Sequence, residues 1–273
     1  MSIDNKAELI FYNGSSLLEG PVFDDKNNLL YFVSIYQELI FCLNLNTKEI
    51  LSIKTSGPVG CVCIKGYKRL ISAEKNGVYL VNFCDFSRKL ICQLNQDNNF
   101  RYNDGILDKN GRFIVGTMGD PTIIQNQGVV YSYYKNEKKI LITGTTISNG
   151  MGFSNDSKYF YFIDTPTKKV ARYFYSLETG DIEFDKFIIE FKGEGFPDGM
   201  FVDDDGYLWI AEWGGGKVSK WDPQSGVNLQ IINLPCVNIS SCCLVDSRNL
   251  YVTTAKEESL YEPFAGGLFH VSF

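Results

Sequence analysis

The sequence predicts an all-β protein: a six-bladed β-propeller forming a single domain over residues 1–273. Three observations predict it. Short segments rich in Tyr, Phe, Val and Ile run from end to end between Asn, Asp, Gly and Lys turns, and no helical stretch of convincing length competes with them. One pattern, a turn, an apolar-aromatic strand and a second strand ending in another turn, occurs six times. With Leu30, Leu70, Phe113, Phe160, Leu208 and Leu250 as markers, the copies are 40, 43, 47, 48 and 42 residues apart, a mean of 44. That is the size of a four-stranded propeller blade.

Taken in order, AELIFYNG (7–14) precedes the first copy and has no blade of its own. It is expected to supply the outer strand of the last blade, closing the ring and removing two sheet edges. NNLLYFVS and LIFCLNLNTKE make the first copy, and KRLISAEKNGVYLVNF the second. GRFIVGTM with GVVYSYYKNEK is the third, and SKYFYFIDTPTKKVARYFYSLETG the fourth. GYLWIAEWGGGKVSKWDPQSG is the fifth, and RNLYVTTA with GGLFHVSF the sixth. One such sheet cannot bury both faces alone, so six around an axis form one cooperative unit with no linkers. A β-sandwich with coincidental spacing is the competing architecture. The G-H and W-D signature of WD40 blades is absent.

Composition narrows the function. The chain is 44% hydrophobic and 14% aromatic, which excludes disorder. Its formal charge is −6 and no run of five like charges occurs, so no nucleic-acid partner is expected. The single histidine, His270, rules out paired-histidine metal motifs and reads as a packing or surface residue of the closing strand. Chemistry must then rest mostly on carboxylates, amides or a metal. No apolar stretch approaches membrane-spanning length, and MSIDNKAELIF lacks a basic region followed by a long apolar core. A soluble, unexported, cytoplasmic protein with no membrane partner is expected. Eight cysteines without a CxxC pair fit buried free thiols in a reducing compartment, where the sequons at Asn13, Asn155 and Asn238 carry no glycan.

A second pattern lies about ten residues before several marker strands. Glu19-Gly20, Asn103-Asp104-Gly105, Asn149-Gly150 and Asp198-Gly199 each set an oxygen-bearing side chain beside a glycine. Asp24, Asp108 and Asp203 follow five residues after Glu19, Asn103 and Asp198. Equal phase means equal place around the axis, and the innermost strands line the channel, so these residues are expected to converge on one of its mouths. The neighbouring glycines permit sharp turns or close backbone approach. Hard oxygen donors suit Ca²⁺, Mg²⁺ or Mn²⁺, with Zn²⁺ less favoured by ligand type. Asp164 reads either as support for the ion or as a hydrogen-bonding residue of its blade, and Asp203-Asp204-Asp205 as a solvated turn.

Five stretches in order, LLEGPVFD, RYNDGILDKNGRFIVGTM, NGMGFSNDSKYFYFIDT, FPDGMFVDDDGYLWIAEWGGGKV and SSCCLVDSRNLYVTTAKE, carry a resemblance. The chain resembles the SMP-30/gluconolactonase/luciferin-regenerating family, its animal-type branch in particular, over nearly its whole length. The resemblance implies a six-bladed propeller and one divalent metal ion held by Glu19, Asn149 and Asp198. It puts sugar contacts at Arg101 and Asn103, and Cys242-Cys243 near the axis. Where the animal branch is acidic after GTM, this chain reads Gly119-Asp120-Pro121, which leaves substrate preference open. The implied activity is hydrolysis of sugar lactones such as gluconolactone, a carboxylic ester hydrolase reaction, with Asp198 as the chosen general base. Alternatives are an organophosphate or other ester hydrolase on the same site, or a non-catalytic cytosolic calcium-binding or interaction protein. The expected partner is a small-molecule lactone, and protein partners are not legible.

Overall fold

The computed structural model describes residues 7–257 and 259–273. Residues 1–6, on which the single-domain span and the unexported N-terminus partly rest, lie outside the described residues. Among those described there are twenty-four strands, one 3₁₀ turn (Thr165–Thr167) and no α-helix, hence no helix long and apolar enough to cross a membrane.

The first strand, β1 (Ala7–Phe11), stands before the first blade. Blade one is β2 (Leu18–Asp24), β3 (Leu29–Ser34), β4 (Leu39–Asn44) and β5 (Ile50–Lys54). Blade two is β6 (Val59–Gly66), β7 (Arg69–Glu74), β8 (Gly77–Asn82) and β9 (Ser87–Cys92). Blade three is β10 (Phe100–Leu107), β11 (Phe113–Gly119), β12 (Gly128–Tyr134) and β13 (Glu137–Thr145). Blade four is β14 (Ser148–Phe153), β15 (Tyr159–Asp164), β16 (Lys169–Tyr175) and β17 (Ile182–Glu190). Blade five is β18 (Phe196–Val202), β19 (Leu208–Trp213), β20 (Lys217–Trp221) and β21 (Asn228–Asn233). The sixth has β22 (Asn238–Asp246), β23 (Asn249–Ala255) and β24 (Leu268–Ser272), and its fourth strand is β1, antiparallel to β24 with Ala7 opposite Val271. Every sheet is antiparallel, five of them meanders of four consecutive strands, and the six-bladed propeller expected from the repeats is what the chain forms.

Strand alternation explains the ring. All six residues of β3 are buried, because its sheet is covered on both faces. Leu29, Tyr31 and Val33 pack with Val59, Val62 and Leu70 of blade two, while Leu30 and Phe32 pack with Cys243, Tyr251 and Leu268 of the sixth. Six such clusters fill the six interfaces between neighbouring blades. Each fully buried Leu, Ile or Phe there stabilises the fold by about 1.5–3 kcal/mol. Outer strands face solvent on one side, leaving Ile140 of β13 and Phe184 and Phe187 of β17 half-exposed. All eight cysteines are free and six are buried.

The innermost strand of each blade carries a β-bulge near its start. Its register breaks between Glu19 and Val22, Val59 and Cys61, Tyr102 and Gly105, Ser148 and Met151, Pro197 and Met200, and Ile239 and Ser241. A bulge sets an extra residue outside the ladder and re-aims its side chain. Three of the six bulges hold Asn103, Asn149 and Asp198, and Glu19, paired with Val33, is the last ladder residue before a fourth.

The downstream aspartates correct an expectation. Asp24, Asp108 and Asp203 do not join these residues at one mouth, because each closes the turn at the far end of its inner strand. Asp108 Oδ1 accepts from the Asn110 and Arg112 amides at 2.9 and 2.7 Å, and Asp203 Oδ1 from those of Asp205 and Tyr207 at 3.1 and 2.8 Å. Asp24 Oδ2 accepts from Asn27 Nδ2 at 2.8 Å. Nor is Asp203 part of a solvated loop. It is buried, paired with Lys220 at 2.9 Å, and takes a hydrogen bond from Trp209 Nε1, while Asp204 and Asp205 are exposed.

Candidate functional site

The bulges deliver their side chains to the channel at the end crowned by the loops between the second and third strands of each blade. Glu19 keeps partial solvent contact, and its Oε2 accepts from the Gly20 amide at 2.9 Å. Asn149, Asp198, Asn103 and Arg101 are all buried. A side chain on Gly150 would come within 2.6 Å of the Asp198 carbonyl oxygen, so only glycine lets these two inner strands approach. Gly60 stands in the same relation to the Asn103 carbonyl, at 2.2 Å.

Asn149 is held by its neighbours. Its Nδ2 donates to Thr165 Oγ1 at 3.0 Å, and Thr165 Oγ1 donates to Pro197 O at 2.9 Å. Among the described residues no hydrogen-bond donor reaches the Asn149 side-chain oxygen. Asp198 Oδ1 is buried with no hydrogen-bond partner. Arg101 gives one terminal nitrogen to Tyr102 O at 3.0 Å and to Asn103 Oδ1 at 2.6 Å, and Asn103 Nδ2 donates to Ser148 O at 2.9 Å. Arg101 Nε is buried without a partner.

Electrostatics set this cluster apart. Burial, then the neighbouring Asp104 carboxylate, pushes Glu19 up to about 8. Burial raises Asp104 to about 6. Asp198 is raised well above the usual carboxylate range by burial first, then by Glu19 and Asp104, with Asn149 and Arg101 opposing. Three carboxylates share one apolar channel with a single buried guanidinium, and all three resist ionising. A divalent cation answers that imbalance and the orphaned Asp198 oxygen together. Among the described residues no three His, Cys, Asp or Glu side chains group tightly enough to hold an ion by themselves. Two carboxylates and an amide are hard oxygen donors, which fits the group.

Past the bulges the channel opens into a cavity of about 430 Å³ reaching the opposite end, lined among others by Cys61, Asp104, Met151, Met200 and Cys242. Its wall lies downstream of Glu19, Asn149 and Asp198, none of which lines it.

The family of sequences described as SMP-30/Gluconolactonase/LRE-like matches residues 17–256. The chain belongs to the SMP-30/gluconolactonase/LRE-like family. Regucalcin of Xenopus laevis is 30% identical over 98% of this chain and 94% of its own. Among solved structures, a calcium-binding protein, regucalcin, from Agrobacterium tumefaciens superposes with a TM-score of 0.91 at 23% identity, covering 98% of this chain and 93% of that one. A gluconolactonase from Xanthomonas campestris reaches 0.78 at 17% identity, covering 99% and 90%. At those identities the structures speak for the propeller fold alone.

Against this SMP-30/gluconolactonase background, the channel brings together Glu19, Asn149, Asp198, Arg101 and Asn103. Sequence reading omitted four of their neighbours. Asp104 follows Asn103 in the repeated pattern, one residue further along. Thr165 and Lys75 sit in loops with no repeat to mark them. Asp120, read as a departure, is buried beside Arg101, its Oδ1 3.9 Å from Arg101 Nε and its Oδ2 2.8 Å from Lys75 Nζ. Other candidates fall away. Asp164 ties down the Thr146 and Ile147 amides at 2.9–3.2 Å, the blade role of its two readings. His270 sits on β24, two strands from the channel, its ring tilted against Tyr251 at 4.9 Å and bonded to Asn249 at 2.6 Å. Cys242 lines the channel, while Cys243 packs between blades.

Proposed function

We propose that the protein is a divalent-metal-dependent lactonase, opening sugar-derived lactones such as gluconolactone to their acids. The observation that carries this reading is the buried, unpartnered Asp198 oxygen, set among Glu19, Asp104 and the side-chain oxygen of Asn149. Membership of the family supports the reaction class.

In this reading Glu19, Asn149 and Asp198 hold the ion, one of Ca²⁺, Mg²⁺, Mn²⁺ or Zn²⁺. When bound, it supplies Lewis acidity toward a lactone carbonyl and lowers the pKa of an adjacent water. Asp198 accepts the proton of the attacking water as its oxygen bonds to the carbonyl carbon. The ring C–O bond then breaks, and the departing oxygen takes a proton from solvent. Arg101 presents its free Nε–H, and Asn103 its remaining N–H and lone pair, to the ring hydroxyls. Because both side chains are already fixed by hydrogen bonds, they orient the substrate with little further ordering. Eight free thiols support a reducing, cytoplasmic setting.

Titrimetric acid release from gluconolactone, with each ion and with chelator, tests the reading. Chelator-sensitive hydrolysis is expected. Tight calcium binding without hydrolysis of any lactone would leave the calcium-binding reading in its place.

A further inference from the structure

The rim of the candidate site carries a cation that the lactonase reading leaves unused. Lys75, in the turn between β7 and β8, sets Nζ 2.8 Å from Asp120 Oδ2 and 3.4 Å from Asp120 O. Asp120 follows β11 in the next blade and offers its other carboxylate oxygen to Arg101 Nε, 3.9 Å away. One carboxylate therefore stands between two cations. Among the described residues it is the only acid within ion-pair distance of either, while Arg101 also feels the Glu19 and Asp198 carboxylates across the channel.

Asp120 gives Lys75 a direct ion pair, but it leaves the Arg101 Nε–H without an acceptor. The Arg101 side chain is 3% exposed, its Nε has no partner, and 3.9 Å is too long for a direct hydrogen bond. A guanidinium N–H buried without an acceptor is costly unless a ligand supplies one. The Lys75 side chain is 23% exposed, and an ammonium has three donors, so capacity remains toward solvent after Asp120 is served. Tyr36, half-exposed on the first blade, flanks the same spot with its ring 5.7 Å from the guanidinium. Two donors of like charge and a flat apolar wall border one place on the rim.

We infer that Arg101 and Lys75 together receive an anionic substituent of the substrate, so that the preferred lactones carry a free carboxylate or a phosphate away from the ester. The inference rests on the lactonase reading above and names its substrate class. The neutral sugar lactone is then the poorer substrate. Asp120 sets the spacing of the two cations, and Lys75 discriminates because its charge reaches the incoming group. No bond to the anionic group is made or broken.

The test compares kcat/KM for glucono-1,5-lactone, glucaro-1,4-lactone, which bears a carboxylate, and 6-phosphoglucono-1,5-lactone, which bears a phosphate. Wild-type protein should favour at least one anionic lactone over the neutral one by about tenfold, the scale of one charge-assisted hydrogen bond. The better of the two identifies which anion fits. Raising the salt concentration should erode that preference. Lys75→Met should reduce the anionic-to-neutral ratio about tenfold, and Lys75→Arg should retain most of it. Lys75 is partly exposed, and thermal melts establish that both variants fold. A ratio near one in the wild type overturns the inference and spares the lactonase reading. Equal loss on all three lactones in Lys75→Met overturns it too, because Lys75 then only steadies Asp120. Hydrolysis of none of them with any ion sinks both readings.

Discussion

Asn149 and Thr165 form a joint between two blades: the Asn149 amide donates to the threonine hydroxyl at 3.0 Å, and that hydroxyl donates to the carbonyl of Pro197 at 2.9 Å. Pro197 immediately precedes Asp198, so one hydroxyl fixes two of the three donors proposed for the ion. A buried hydroxyl that orients donors from outside the set is how metal sites acquire fixed geometry.

Thr165→Val keeps the shape and removes the joint. It should weaken divalent-ion binding by about 10–100-fold, the usual scale for groups that support a ligand. Thr165→Ser should stay close to wild type. Calorimetric titration of the chelator-treated proteins with Ca²⁺ or Mn²⁺ measures this, and unchanged affinity in the valine variant would show that Asn149 needs no help.

The raised carboxylates make a pH prediction for metal-free protein. Glu19 titrates at 4.5 in the unfolded chain and at about 8 in the folded one, with burial the main cause and Asp104 the next. Between those values the folded state keeps a proton that the unfolded state has released, so this group's contribution to stability falls as pH rises. Above about 8 the whole penalty is present. Denaturant unfolding at pH 5, 7 and 9 should show Glu19→Gln gaining on wild type as pH rises, and saturating divalent ion should remove the gain. A difference independent of pH would mean Glu19 ionises freely.

The turn aspartates should behave as structural residues. Asp108 Oδ2 accepts from the Tyr175 hydroxyl of the next blade at 2.6 Å and pairs with Arg112, which also reaches Leu177 O and Glu178 O. Removing one partner of a buried pair strands the other, so Asp108→Ala should lose about 3–5 kcal/mol of stability. Metal affinity of the folded protein should stay within about twofold, an effect far below that of losing a ligand. Urea unfolding and calorimetry on one preparation separate the two quantities.

That contrast also marks how far the sequence could be read. The ring was legible because aromatic strands such as Leu29–Ser34 must be buried on both faces, which forces turns at blade spacing. Glu19, Asn103, Asn149 and Asp198 were legible because each bulge falls at a fixed distance from a strand that had already been located. The same reasoning misplaced Asp24, Asp108 and Asp203. A repeat gives the position around the axis, but five residues of strand, about 16 Å, carry the chain to the other end of the channel. Thr165, Lys75 and Asp120 were illegible as neighbours of the site because they occupy connecting loops. Loop length varies from blade to blade, and the partners lie 16, 45 and 19 residues away from Asn149, Asp120 and Arg101 respectively.

Asp198 and Asn103 should separate the ion from the substrate. Asp198→Ala removes a carboxylate whose Oδ1 has no other partner, and with it both a donor to the ion and the chosen base. Activity on lactones should fall by at least ~10²–10⁴-fold, the range for loss of a general base alone, and calorimetric ion binding should fall with it. The metal-free variant should nevertheless melt no lower than metal-free wild type, because a buried carboxylate among Glu19 and Asp104 is a source of repulsion. Asn103→Ala should show the opposite pattern. Its amide links Arg101 to Ser148 O at 2.6 and 2.9 Å, so its loss frees the guanidinium to swing and raises KM more than it weakens ion binding. Equal loss of ion affinity in the two variants would show that ligands and substrate contacts have been divided wrongly. Full activity in Asp198→Ala would remove the lactonase as drawn, since among the described residues no other buried carboxylate in the channel is left without a hydrogen-bond partner.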